Sequence, residues 1–490
     1  MSGLTVPSVH RKDIALNRTL PMVLAVALFM EHMDSTVIAT SLPAIAEDIG
    51  TNPVTLKLAL TTYLVALAIF IPVSGFMADR FGAKRVFRSA IAVFVAGSIG
   101  CAISDSLLAF VLARFVQGMG GAMMTPVGRL VLVRATPRSE LVSAMAWLSI
   151  PALVGPVIGP PLGGFITTYF SWHWIFLINV PIGLAGILVS GRVLPDFEPD
   201  MRGRLDVIGF ALAALAASGL VFGLSVVSLP ALPPVVGVAT VLAGLAAVWA
   251  YVRHARRTPS PILDLSLFSN RAFRAAIIGG SLFRIGVGAT PFLLPLMFQI
   301  GFGLTPFQSG LLTFAAAFGS IAMKFIARTT LRAGGFRLVL LLTALLGSAF
   351  IGINGLFTPA TPHGLIIAVL VAGGLFRSLF FTSANALVFA EIADRQASQA
   401  TAIAAATQQI SIAVGVALAG GILEVSSYMT DTPLTLDHFM IAFLSVAAFS
   451  ALSVLPFLTL PADTGSAVSG HRRGRRIEQE DTALAAERSV

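Results

Sequence analysis

The sequence predicts an all-α protein that crosses a membrane many times, and three observations predict it. Hydrophobic residues make up 56% of its 490 positions and charged residues 11%, against about 25% charged in an ordinary soluble domain. Apolar runs long enough for a membrane-crossing helix, about 18 residues or more, recur along the whole length. Transmembrane strands would instead read as alternating segments of about ten residues. The 45 glycines and 27 prolines fit the same picture. Membrane helices use Gly for close backbone approach and tolerate Pro kinks.

Fourteen candidate spans follow, at 20–43, 55–75, 86–104, 107–129, 141–166, 173–194, 205–226, 232–252, 272–300, 307–327, 337–357, 363–390, 401–424 and 437–459. An even number places both termini on one side. Counting the N-terminus as cytoplasmic puts 27 of the 32 Lys and Arg in cytoplasmic segments and one, Lys57, outside. That sorting is the positive-inside rule. It accounts for the +9 net charge without nucleic acid, which is not an expected partner. The grouping is a cytoplasmic N-terminus (1–19), a six-helix bundle (20–194), a linker with two extra spans (195–271), a second six-helix bundle (272–460) and a basic cytoplasmic tail (461–490). The polar, basic start and the long first span without a small-residue cleavage site predict an uncleaved first helix. The lone Cys101 excludes an intramolecular disulfide. None of the four lysines follows a glycine, so no Walker-type phosphate loop exists, and no Cys/His cluster has metal-ligand spacing. No cofactor or metal is expected, and any transport must run on an ion gradient or a partner.

Taken in order, the first span carries Glu31, His32 and Asp34 at its centre. A charge at that depth costs at least about 3 kcal/mol. Glu31 and Asp34 share a helix face, about 4.5 Å apart along the axis. Two neighbouring carboxylates away from water resist carrying two charges at once, which is what a proton carrier needs. Arg114, mid-way along the fourth span, is either their static partner or a group that expels the proton on approach. Asp79 stands among Arg80, Lys84 and Arg85 at a helix end, as an ion-pair latch or a topology anchor. Gly155, Gly159 and Gly163 lie four apart on one face of the fifth span, beside Pro156, Pro160 and Pro161. That face permits close packing or a bending gate. Arg284 and Arg377 put two more cations within spans of the second bundle. The two bundles resemble repeats, with basic loops at 79–85 and 331–337 and an arginine in each fourth span. Many secondary transporters are built from such halves, with the binding site between them.

Several stretches carry a specific resemblance. Gly75-Phe-Met-Ala-Asp79-Arg80-Phe-Gly82-Ala-Lys84-Arg85 resembles the loop signature of the major facilitator superfamily. Arg114-Phe-Val-Gln117-Gly118-Met-Gly120 resembles its fourth-helix motif, and Gly155-Pro156-Val-Ile-Gly159-Pro160-Pro161-Leu-Gly163-Gly164 its antiporter motif. Asp34-Ser-Thr36-Val37 onward to Pro43, Trp172 to Gly183, and Asp206-x-x-Gly209 resemble the fourteen-helix drug:proton antiporter branch, most of all its MdtD-like exporters. In the second half the position matched to Asp79 is Leu331.

The resemblance implies a major facilitator fold in a bacterial inner membrane and proton-coupled export of small molecules by alternating access. It implies no enzyme activity. The partners implied are a small-molecule substrate, protons and the lipid bilayer, with room for an envelope efflux partner. Asp34, Glu31 and Arg114 would couple protons. His32, Gln117, Arg284 and Arg377 would line the substrate cavity, on the first and fourth helices of each bundle. Gly75, Asp79, Arg80, Gly82, Arg85, Gly155, Pro156, Gly159 and Gly163 would gate. The excess of arginines over acids keeps open an exporter of organic anions or metal chelates, and a non-transporting membrane sensor is the rival of another class.

Overall fold

The computed structural model describes residues 19–137, 140–197, 205–227, 232–393, 396–461 and 463–469. The predicted N-terminal segment up to residue 18 and the basic stretch at 471–476 lie outside the described residues. All regular structure among the described residues is helical. The first group comprises α1 (Thr19–Val37), α2 (Lys57–Phe70, prolonged through Ser74–Phe81), α3 (Ala83–Ala102), α4 (Leu107–Ala135), α5 (Leu141–Tyr169) and α6 (Asn179–Val193). Two helices follow, α7 (Val207–Val226) and α8 (Pro234–Ala255), and then α9 (Arg271–Leu296). The stretch Pro306–Asn354 breaks at Gly335, with φ 68° and ψ 169°, into α10 (306–334) and α11 (336–354). The chain closes with α12 (His363–Phe389), α13 (Ala397–Thr430) and α14 (Leu436–Ala451).

Local chemistry sets the helix starts. Ser106, Asp206 and Asn270 each accept a hydrogen bond from the backbone three residues on, at the first turns of α4, α7 and α9. Thr305 and Gln308 form a capping box ahead of Pro306. Twelve described helices are long and apolar enough to cross a membrane, with Pro306–Asn354 counted once and α5 outside that number. A straight 49-residue helix would run about 73 Å, more than twice the roughly 30 Å of hydrocarbon. The break at Gly335 makes it two.

Gly335 has a counterpart. Gly82, between α2 and α3, holds φ 87°, a left-handed conformation that glycine adopts without steric cost. Matching these two turns shifts the sequence-based register by one. The residue three before the turn is Asp79 in the first half and Arg332, not Leu331, in the second. A cation, not an apolar residue, replaces the acid.

Lipid tails offer no hydrophobic drive between helices, so close contact comes from small residues. Gly219, Gly223, Gly237 and Gly244 bring the backbones of α7 and α8 together, where an added methyl would collide with backbone atoms. Asp206 also clasps the far end of this pair. It receives Ile262 N–H and meets His254 Nε2 at 2.7 Å. Burial pushes the Asp206 carboxyl up, but the bonds from Gly209, His254 and Ile262 outweigh it and hold it below the usual carboxylate value. Large apolar side chains such as Ile103, Leu188, Trp249 and Phe325 are exposed on outer helix faces, as a protein solvated by lipid requires.

The buried apolar residues fall into separate cores. One core lies within the first group, from Leu24 to Leu194, and one within the last six helices, from Leu267 to Leu460. Both sit toward the end bearing the Gly82 and Gly335 turns, the loop end. A third core, at the far end, is shared: Ile38, Leu56 and Phe176 pack with Phe292, Met297 and Phe439. A fourth joins Val221 of α7 to Ile69 of α2 and Ala413 of α13.

Candidate functional site

Half-way along α1, the turn that carries Glu31 and Asp34 faces α4 and α6. The Asp34 carboxylate is fully buried. Arg114 Nη1 donates to Asp34 Oδ2 at 2.7 Å. Gln117 Nε2 and Asn179 Nδ2 donate to Asp34 Oδ1 at 2.8 and 2.9 Å. Both amides also reach the Ser98 hydroxyl on α3, at 2.8 and 3.3 Å. Two helices, α4 and α6, thus deliver three donors to one carboxylate, and Ser98 of α3 steadies both amides. A charge taken out of water is tolerable only with this degree of pairing. Arg114 is held in turn by Gln117 Oε1 at 2.5 Å and by the face of Tyr63, 4.2 Å away. Glu31 sits one turn from this cluster and accepts from Thr125 Oγ1 at 2.5 Å.

Beside the cluster is a cavity of about 280 Å³ between the two bundles. Its walls come from α1 (Glu31, His32, Ser35), α2 (Tyr63, Leu64), α4 (Arg114), α9 (Val287, Phe292) and α13 (Gln408, Gln409). Arg114 therefore touches the Asp34 carboxylate on one side and the cavity on the other. Asp34 itself lies behind the wall.

The predicted cavity residues separate. His32 is on the wall. Gln117 is fully buried in the Asp34 cluster. Arg284 stacks over Phe381 at 5.0 Å and donates to Asn385 Oδ1 at 3.1 Å, away from this wall. Arg377 borders a different, smaller cavity inside the second bundle. The second bundle meets the central cavity with its first and fifth helices, α9 and α13, and not with its fourth, α12. Phe292 is the one aromatic residue of the second bundle on the central wall among the described residues.

The predicted gate residues fall into two places. Gly155, Gly159 and Gly163 face α1, where a methyl on any of them would press on the backbone or Thr36. Pro156 is exposed on the other side of α5, which runs as one continuous helix. Asp79 pairs with Arg134 at the end of α4, at 2.7 Å, with both side chains over a third exposed. Gly75, Arg80 and Arg85 are exposed near the Gly82 turn. The Asp79 pair lies within the first bundle.

Sequence reasoning missed the ion pair that does join the bundles. Lys57, at the start of α2, is fully buried and bonds Glu424 on α13. Its only sequence signal was being the single lysine placed outside. Asn179 was visible inside a branch motif, yet its amide was not assigned to Asp34. Gln299 Nε2 donates to the Thr40 carbonyl at 2.9 Å, and Phe307 N–H to Thr168 Oγ1 at 3.1 Å. These also tie the bundles at the far end.

The family model described as Major Facilitator Superfamily matches residues 24–353 and 276–485. The chain is 36% identical over 448 residues to the "Putative multidrug resistance protein MdtD" of Yersinia enterocolitica, covering 91% of this chain and 95% of the relative. It is 36% identical to the protein of that name from Serratia proteamaculans, at 90% and 93% coverage. Among solved structures, a D-xylose–proton symporter superposes with TM-score 0.65 at 14% identity, covering 91% of this chain and 98% of the other. The human organic anion transporter MFSD10 gives 0.59 at 15%, with 90% and 99% covered. At such identities the structures share the fold. The motifs, the helical architecture and these matches together make the chain an MdtD-like member of the major facilitator superfamily, a family of membrane transporters.

Proposed function

We propose that the protein exports small molecules in exchange for protons by alternating access. The observation that carries this reading is Arg114, which bridges the buried Asp34 and the wall of the central cavity. A proton on Asp34 removes its charge and one acceptor. Arg114 then loses its main partner and turns to Glu31 or to the cavity. A substrate that displaces Arg114 toward Asp34 stabilises the carboxylate and favours release of the proton. Binding and protonation thus compete through one side chain, which is the coupling an antiporter needs.

The chain is read as fourteen spans, with bundles at 20–194 and 272–460 and the extra pair between them. The loop end is read as cytoplasmic, in line with the arginine sorting. On that assignment the shared far-end core closes the outer side, and the structure is inward-facing. The largely apolar cavity wall, with one acid, one histidine and one arginine, suits amphipathic drug-like molecules. A second reading, export of organic anions, rests on the Arg114 guanidinium at the central wall, since Arg284 and Arg377 stand away from it.

Everted membrane vesicles test both readings. Asp34→Asn is expected to abolish proton release on addition of lipophilic substrates while the protein still folds and binds them. Continued pumping against a gradient by Asp34→Asn would remove Asp34 from the coupling role. A proton response to carboxylates alone would favour the anion reading. Silence toward every substrate would favour the sensor.

A further inference from the structure

The two bundles treat their fourth-helix arginines differently: Arg114 is fully buried and Arg377 half-buried. In the first, Arg114 bonds a carboxylate delivered by the first helix, with α3 lending Ser98. In the second, Arg377 makes one described hydrogen bond, to the Ser320 hydroxyl at 3.4 Å. That hydroxyl shares its one proton between the Ala316 and Gly374 carbonyls and offers Arg377 only a neutral lone pair, at the long end of hydrogen-bond range. No acid pairs with Arg377 among the described residues. Yet a guanidinium held inside a membrane protein keeps its charge. In low dielectric a charge without a counter-charge is costly.

Next to Arg377 is a cavity of about 40 Å³. It is bounded by Phe283, Val287 and Thr290 of α9, Asn354 at the end of α11, and Gly374 and Arg377 of α12. With Ala316 of α10 these are the first four helices of the second bundle. The Asp34 cluster draws on the first, third, fourth and sixth helices of the first, so the two places share three helix positions. Asn354 Oδ1 is buried without a hydrogen-bond partner, so its amide can turn to present the NH₂ group and forfeit no bond. The volume corresponds to about three water-sized probes, enough for a small inorganic ion and too little for a drug-sized molecule.

We propose that this cavity is a binding site for one small monovalent anion, of chloride size, which serves Arg377 as Asp34 serves Arg114. The ligand is recognised by a fixed guanidinium, an amide that can rotate, and a volume that excludes larger anions. Val287 lies on the wall of both this cavity and the central one, so the bound anion sits one side chain from the transport pathway. The site is independent of what the central cavity carries.

The test is equilibrium binding of radioactive chloride to the purified full-length protein in detergent, with melting curves in chloride, bromide and gluconate at equal ionic strength. The expected result is one saturable chloride site per chain, displaced by bromide and not by gluconate, with a higher melting midpoint in the two halides. Arg377→Gln should weaken that binding at least about tenfold, while Arg284→Gln should leave it in place. The proposal is overturned if the wild-type protein shows no saturable chloride site, if gluconate competes as well as bromide, or if Arg377→Gln binds like wild type. Should Arg377→Gln fail to fold, the wild-type binding and competition decide alone.

Discussion

The far end of the molecule and its loop end are held by different physics. At the far end the bundles share one apolar core, an ion pair between the fully buried Lys57 and the largely buried Glu424, and backbone-to-backbone approach at Gly164–Pro306 and Gly310–Pro160. At the loop end each bundle keeps its own core, and the Asp79–Arg134 pair is exposed and internal to one bundle. Buried contacts of that kind are strong and all-or-none. Exposed pairs are worth little each and are easily remade. Under the alternating-access reading proposed above one end is sealed at a time, and the largely buried far-end contacts would be that seal.

Five perturbations follow, in order of expected size. Lys57→Ala leaves Glu424 without its ammonium and is expected to destabilise the far end by about 3–5 kcal/mol, read as a lower melting midpoint and faster labelling of Cys101 in the far-end core. The double change Lys57→Met with Glu424→Leu should recover most of that loss, because the apolar pair has no charge to desolvate. Recovery would show that the single change costs stability through the uncompensated Glu424 charge, and no recovery would assign the loss to the ion pair's own attraction or packing. Gly164→Val is expected to cost about 1–3 kcal/mol by overpacking, since its side chain would collide with the Pro306 carbonyl. It should shift the resting state away from the inward-facing form in distance measurements across the two ends. Asp79→Asn should change the melting midpoint little, by at most about 1 kcal/mol, while altering transport rate if the pair is remade during the cycle. Acidification should loosen the Asp206 clasp. Its carboxyl lies below the usual value when folded, so its contribution is present above the ordinary carboxylate range and is lost as the pH falls through that depressed value. Proteolysis of the 255–265 connection on lowering pH reads this.

Much of the site was legible because charge inside a membrane is so costly that it advertises itself. Asp34 and Arg114 stood out on that ground, and the structure bonds them directly. The seal was not legible for the converse reason. Lys57 and Glu424 lie near span ends, where a charge is unremarkable in sequence, and only the approach of α2 to α13 buries them. Gln408 and Gln409 carry no charge and belong to no quoted motif, so nothing marked them as cavity wall. Arg284 and Arg377 were expected to line the central cavity and stand away from it, because which of several cavities a side chain enters depends on helix rotation, which hydropathy does not report. The one-residue shift at Gly335 has the same origin. Two adjacent glycines, Gly334 and Gly335, are equivalent in composition, and only the backbone angle distinguishes them.

The inserted helices give the molecule a handedness toward its solvent. The cleft between the bundles has two long seams, one where α2 meets α13 and one where α5 meets α10. Helix α7 lies along the first, with Val221 wedged against Ile69 and Ala413. The second seam is closed instead by the approach of Gly164 to Pro306 and of Gly310 to Pro160. Because α7 touches both bundles, the rocking proposed above would have to slide it off one partner in each turnover, so the inserted pair would put a mechanical toll on the cycle.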